Sequence, residues 1–127
     1  MITLIEGDSV AASTLASVSA CLVPGERVLV LLDSNHSKSH VLAELEAYAP
    51  LVTPGSYIVA TDGLMEMLDD VPRGQAGWRA DNPKAAAEAF AGRHPEFQLG
   101  QPAFTFNEGA ISDPVTHWPG GYLRRIQ

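Results

Sequence analysis

The sequence predicts an α/β fold with a mostly parallel sheet and an antiparallel closing edge, and three observations carry that reading. Val28 to Leu32 is an unbroken apolar run with no helical period, the signature of a strand covered on both faces. Tyr57 to Ala60 is a second such run, and a stretch with helical spacing lies between the two. The order strand, helix, strand, helix, strand, with connections long enough for crossovers, requires parallel strands and right-handed crossovers.

In chain order, Ile2 to Ile5 reads as a short strand that ends in the turn Glu6-Gly7-Asp8-Ser9. Val10 to Val23 places Leu15, Val18 and Leu22 at helical spacing, and Pro24-Gly25 stops it. After the strand at Val28, Ser37 or Ser39 can cap a second helix. Val41, Leu42, Leu45, Tyr48 and Ala49 share one face of it, while Glu44 and Glu46 point away. Pro50 closes this helix, and Pro54-Gly55 turns the chain into the strand at Tyr57.

From Leu64 to Asn82 the regular apolar pattern breaks at Pro72, Gly74 and Gly77, which predicts a long loop over the strand ends. Asp81 or Asn82 caps a third helix that opens on Pro83 and runs to about Arg93. Phe97 to Phe106 reads as a strand pair or one bent strand, with Phe97, Leu99, Phe104 and Phe106 as core candidates. Tyr122 to Ile126 is expected to close the sheet at its edge, antiparallel to its neighbour.

A chain of 127 residues with 46% apolar and 18% charged residues suits one packed domain. Its net charge of -7 argues against nucleic acid and anionic membrane surfaces, which select basic faces. Cys21 is the sole cysteine, so no internal disulfide can form, and a helix face with the thiol buried is its expected place. Neither a signal peptide nor an apolar stretch long enough for a membrane span is legible, which predicts a soluble, cytoplasmic protein.

The chemistry gathers where the strands end. Asp33 follows one strand and Asp62 the next, at the edge of an open α/β sheet where ligands bind. Neighbouring strands lie about 4.8 Å apart, close enough for both carboxylates to hold one magnesium ion through oxygen ligands. His36 follows Asp33 by three residues and is placed to take a proton from a hydroxyl bound to the same cation.

His36 and His40, four apart, also permit a zinc site with Asp33. Glu6 and Asp8 follow the first strand at the same edge, where an acid can bond a ribose or an adenine amine, although a helix cap explains Asp8 equally well. Thr61 offers a hydroxyl beside Asp62. Trp78, Arg79 and Trp118 fall in loops that could flank a substrate. Neither a GxGxxG sequence nor a P-loop is encoded.

Asp33 to Leu42 (DSNHSKSHVL), Glu44-Leu45 and Tyr48 to Val52 resemble the cephalosporin hydroxylase family, which includes rhamnosyl O-methyltransferases. Gly55 to Val59, Asp62-Gly63, Asn82-Pro83, His94 to Phe97 and Gly120 to Arg125 continue the likeness in order across nearly the whole chain. The resemblance implies a Rossmann-like methyltransferase sheet that uses S-adenosylmethionine, with Mg2+ at the strand ends. It matches Asp33 and Asp62 to metal-ligand positions and His36 to a general base. It matches Glu6-Gly7-Asp8-Ser9 to an adenine-side contact, so Asp8 and Ser9 are the expected cofactor-binding residues.

Thr61 stands where related metal sites carry an acid. The glycine-rich turn of such methyltransferases is not in the sequence either. The likeness therefore implies a single partial domain over residues 1–127, beginning at the third strand and carrying a loop insertion at about 64–82.

Together these features predict a metal-dependent O-methyltransferase for a small-molecule hydroxyl acceptor, a sugar or natural product. The alternatives are a hydroxylase component of antibiotic biosynthesis, or a non-catalytic subunit that associates through an open sheet edge with a second copy or with a missing N-terminal half. A phosphoacceptor receiver domain with Asp33 as acceptor fails because neither Lys38 nor Lys84 ends a late strand.

Overall fold

The computed structural model describes residues 2–103 and 115–127. Its elements in order are α1 (Ala12–Ala20), β1 (Val30–Leu32), α2 (Lys38–Tyr48), β2 (Tyr57–Ala60), α3 (Pro83–Ala91), β3 (Phe97–Leu99) and β4 (Tyr122–Arg125). Short 3-10 turns lie at Ala49–Leu51, Gly63–Met67 and Ala76–Arg79. Phe104 and Phe106, expected in the core, lie outside the described residues.

The four strands form one sheet in the order β1-β2-β4-β3. β1 and β2 run parallel, as their crossover through α2 requires, with Leu32 opposite Ala60. β4 runs antiparallel to both β2 and β3. The sheet is thus mixed rather than mostly parallel. The expected closing strand is interior, because β4 inserts between β2 and β3 and leaves β3 at the edge.

Packing follows the alternation of the strands. Leu32, Ile58, Ala60, Phe97 and Leu123 face Val41, Leu45, Ala86, Ala87 and Phe90 of α2 and α3 in one core. Phe90 is fully buried and meets Phe97 edge to face at 5.3 Å between ring centres. The Arg125 guanidinium donates to the carbonyls of Pro50 at 3.2 Å and Val52 at 2.7 Å, capping the turn beyond α2.

Among the described residues, α2 and α3 pack on one face of the sheet, and three expectations are corrected. Leu29 and Leu31 are more than half exposed, so β1 is covered on one side and open on the other. Ile2 to Ile5 is not a strand: no described strand pairs with it, and Ile2 and Leu4 stand in solvent. α1 begins and ends inside the expected Val10 to Val23 and buries no residue, and Cys21 at its end is exposed rather than packed.

A further correction concerns Glu44, expected on the outer face of α2. It is buried, and its carboxylate accepts the Ser34 hydroxyl at 2.7 Å. Helical spacing places it between the apolar stripe and solvent, and the chain leaving β1 closes over it.

Candidate functional site

Two strand ends and two turns build the site. The register Leu32 opposite Ala60 continues one residue further, so Asp33 and Thr61 leave their strands side by side. The Thr61 N–H donates to the Leu32 carbonyl at 3.1 Å, and the Thr61 hydroxyl lies 2.6 Å from Asp33 Oδ1.

Asp62 then adopts a left-handed conformation, φ 55° and ψ 30°, that turns the chain away from the sheet into Gly63–Met67. Aspartate tolerates this region better than most residues. The turn is tight: a Cβ on Gly63 would come within 2.3 Å of the Pro119 carbonyl oxygen. Backbone held in such a sparsely populated region is common where a side chain must be aimed.

His36 completes the group from the loop ahead of α2. Its Nε2 lies 3.5 Å from Asp33 Oδ1 and 3.2 Å from Asp62 Oδ2. One donor atom from each of the three residues falls within 4.8 Å of the others. Nε2 is buried and, among the described residues, aligned for no hydrogen bond, even to the two nearby carboxylate oxygens. The nitrogen and the oxygens thus lie close together without bonding one another. An orphaned nitrogen beside two carboxylates is a donor set that suits a divalent cation.

A hollow of about 660 Å³ opens beside the cluster, walled by Leu64, Met65, Leu68 and Trp78, with His36, Asp62 and Asp81 as polar groups. No lysine or arginine lines it among the described residues. A second hollow lies across Asp62, between Asp33, Trp118 and Tyr122. Asp62 and His117 border both spaces.

The loop over the strand ends is held at both of its ends. Asp81 Oδ1 accepts the Lys38 N–H at 2.6 Å, which caps α2. Ser37 occupies the N-cap position but makes no side-chain cap, because the loop carboxylate has taken that role. Asn82 caps α3 through the Ala85 N–H at 2.8 Å, as its sequence predicts. Lys84 on α3 pairs with Glu66 in the turn after Asp62.

The remaining expected residues lie elsewhere. His40 is bonded not to the Asp33 cluster but between the hydroxyls of Ser9 and Ser34, at 3.2 Å each, so the His36 and His40 zinc pairing does not form. Asp8 accepts the Val10 N–H at 3.1 Å in the turn before α1. Arg79 points to Asp69, a pair that ties the loop to itself. Sequence reasoning missed Asp81 and His117, since a cap or a pocket wall supplied from a distant loop leaves no local spacing to read. Strand pairing could have found the Thr61 contact with Asp33.

Over residues 1–126 the chain matches the family described as rhamnosyl O-methyltransferase/CmcI. Curated relatives include a rhamnosyl O-methyltransferase of Mycobacterium leprae (strain TN), 38% identical over 72 residues, which are 57% of this chain and 29% of that protein. Rhamnosyl O-methyltransferases of Mycobacterium tuberculosis (strain ATCC 25618 / H37Rv) and Mycobacterium bovis (strain BCG / Pasteur 1173P2) are 46% identical over 39 residues, covering 31% of this chain and 16% of each relative. The matched region thus spans less than a third of the relatives' own length. No solved structure matches the chain. No helix among the described residues is long and apolar enough to cross a membrane.

Proposed function

The chain belongs to the rhamnosyl O-methyltransferase/CmcI family, and from that premise we propose that it carries the catalytic part of a metal-dependent, S-adenosylmethionine-using O-methyltransferase acting on a sugar or natural-product hydroxyl. The observation that carries the reading is the convergence of Asp33, His36 and Asp62 at the ends of two adjacent parallel strands. Asp33 and Asp62 would hold Mg2+. His36 would be the general base, with Nε2 close to both carboxylates. A cluster with one imidazole and two carboxylates supports this over a hydroxylase iron site, which favours two histidines and one carboxylate.

When bound, Mg2+ would lower the pKa of the acceptor hydroxyl. S-adenosylmethionine, held on the side of Asp8 and Ser9, would supply the methyl group to the acceptor oxygen. The protein's own part is to orient and to move one proton. His36 Nε2 takes that proton from the acceptor oxygen, a step worth roughly 10²- to 10⁴-fold in rate. Trp78, Leu64 and Met65 present an apolar wall to the flat face of a ring, while Asp62 and Asp81 accept from its hydroxyls. The lack of lysine and arginine among the described lining residues favours a neutral acceptor over a phosphorylated or carboxylated one.

Asp8 and Ser9 are the proposed cofactor-side contacts, and the bonds of Ser9 to α2 support a fixed position for that turn. The open edge of β1 and the exposed Leu29 and Leu31 favour association there, with a second copy or with further polypeptide that completes the domain. Titration calorimetry tests the catalytic reading. The wild-type chain should bind Mg2+, and both Asp33→Ala and Asp62→Ala should abolish the signal. Binding that survives both substitutions would place the cation elsewhere and remove the ground for the mechanism.

A further inference from the structure

We propose that Thr61 is a positioning residue that holds Asp33 in its cation-binding orientation, an inference that rests on the Asp33 and Asp62 site proposed above. The Asp33 side chain is 68% exposed, so solvent alone would leave its carboxylate free to rotate. Thr61 is buried, its hydroxyl 2.6 Å from Asp33 Oδ1 and 2.9 Å from the Leu32 carbonyl oxygen.

That hydroxyl has one proton for two acceptors. The Leu32 carbonyl already accepts the Thr61 N–H at 3.1 Å. A carboxylate is also the stronger acceptor, because hydrogen bonds to charged groups are shorter and about twice as strong as neutral ones. The proton therefore goes to Asp33. Thr61 is a β-branched residue at a strand end, with few χ1 choices, and its backbone is fixed by pairing with β1. A rigid donor thus pins one lone pair of Oδ1, the same oxygen that lies 3.5 Å from His36 Nε2, and so fixes the carboxylate beside the space shared with His36 and Asp62.

The consequence is a cation site with two carboxylates whose third side chain acts through one of them. Thr61 contributes no charge, and its part is the proton it donates to Asp33. Partners of this kind typically tune metal affinity by roughly 10- to 100-fold.

Titration calorimetry with Mn2+ and Mg2+, with Mn2+ electron paramagnetic resonance as a second readout, tests the assignment on the full chain. Thr61→Val keeps the shape and removes the hydroxyl, and should weaken binding of both ions by roughly 10- to 100-fold. Thr61→Ser keeps the hydroxyl and should restore most of the affinity. Thr61→Ala serves if the valine variant does not fold, and thermal melting by circular dichroism reports whether each variant keeps the wild-type fold. Wild-type affinity in a folded Thr61→Val or Thr61→Ala chain, or a Thr61→Ser chain as weak as the valine one, overturns the role of Thr61 alone. A wild-type chain that binds neither ion overturns this inference together with the site it rests on.

Discussion

The Tyr48 hydroxyl on α2 donates to the Ser9 carbonyl oxygen at 2.8 Å, joining positions 39 residues apart. This bond and the contact of Ser9 with His40 tie the N-terminal turn to the core, since α1 buries nothing of its own. Burial, and then the charges of Glu44 and Asp8, push the Tyr48 phenol further above its ordinary value of 10.0. Tyr48→Phe should cost about 1 kcal/mol, the usual net value of one hydrogen bond. Hydrogen exchange should show Ala12–Ala20 opening faster while Tyr57–Ala60 is unchanged. Equal protection in both chains would mean that other contacts hold the segment.

His36 and the two aspartates should separate cleanly by what they do. If His36 is the base, His36→Gln leaves Mg2+ affinity within a few-fold of wild type, because both carboxylates remain, while methyl transfer falls by roughly 10²- to 10⁴-fold. Calorimetry on the variant is decisive without any acceptor in hand. Loss of cation binding would make the imidazole a ligand and transfer the base role to another group.

The parts legible in the sequence are those fixed by local pattern. Apolar runs gave the strands at Val30 and Tyr57, and their parallel order put Asp33 and Asp62 on one edge. Asn82 before Pro83 marked α3 because this cap is made between adjacent residues, unlike the Asp81 cap of α2. What failed depended on distant chain. Ile2 to Ile5 has a strand's composition, but a strand exists only with a neighbour to bond. Glu44 is a polar residue that the loop around Ser34 buries, and helical spacing cannot register a partner ten residues away. The interior place of β4 depends on where β3 docks, and no feature within Tyr122–Arg125 encodes that.

Gly121 sits where β4 begins, and a Cβ there would lie 2.0 Å from the Ala60 carbonyl oxygen. The contact is with backbone, so no side chain can move aside. The Gly121 carbonyl also accepts the Ala60 N–H at 2.9 Å, one residue before Thr61. Gly121→Ala should therefore destabilise the fold by about 1–3 kcal/mol, the usual cost of overpacking. It should also weaken Mg2+ binding by shifting the strand end that carries Thr61 and Asp62. A denaturant midpoint equal to wild type would show that β4 can shift without loss.

Lys84 on α3 and Glu66 make a pH-dependent link to the loop. The hydrogen bond to Glu66 raises the Lys84 pKa above its ordinary 10.5, outweighing the opposing effect of burial, and the charges of Glu66 and Glu88 add to the rise. The folded chain thus keeps this proton to higher pH than the unfolded chain does. Stability from the pair is complete below the unfolded value and declines as pH rises from there through the folded pKa. Tyr48 is shifted in the same direction and steepens the decline above its own ordinary value of 10.0. Urea midpoints measured from pH 8 to pH 11.5 should fall less steeply in Lys84→Met than in wild type, and least in Lys84→Met combined with Tyr48→Phe. Because Glu66 lies in the turn that follows Asp62, the methionine variant should also show faster hydrogen exchange over Gly63–Met67 at neutral pH. An unchanged alkaline slope would mean that the pair is too solvated to couple protonation to folding, and unchanged exchange would mean that Gly63 and its neighbours hold the turn without it.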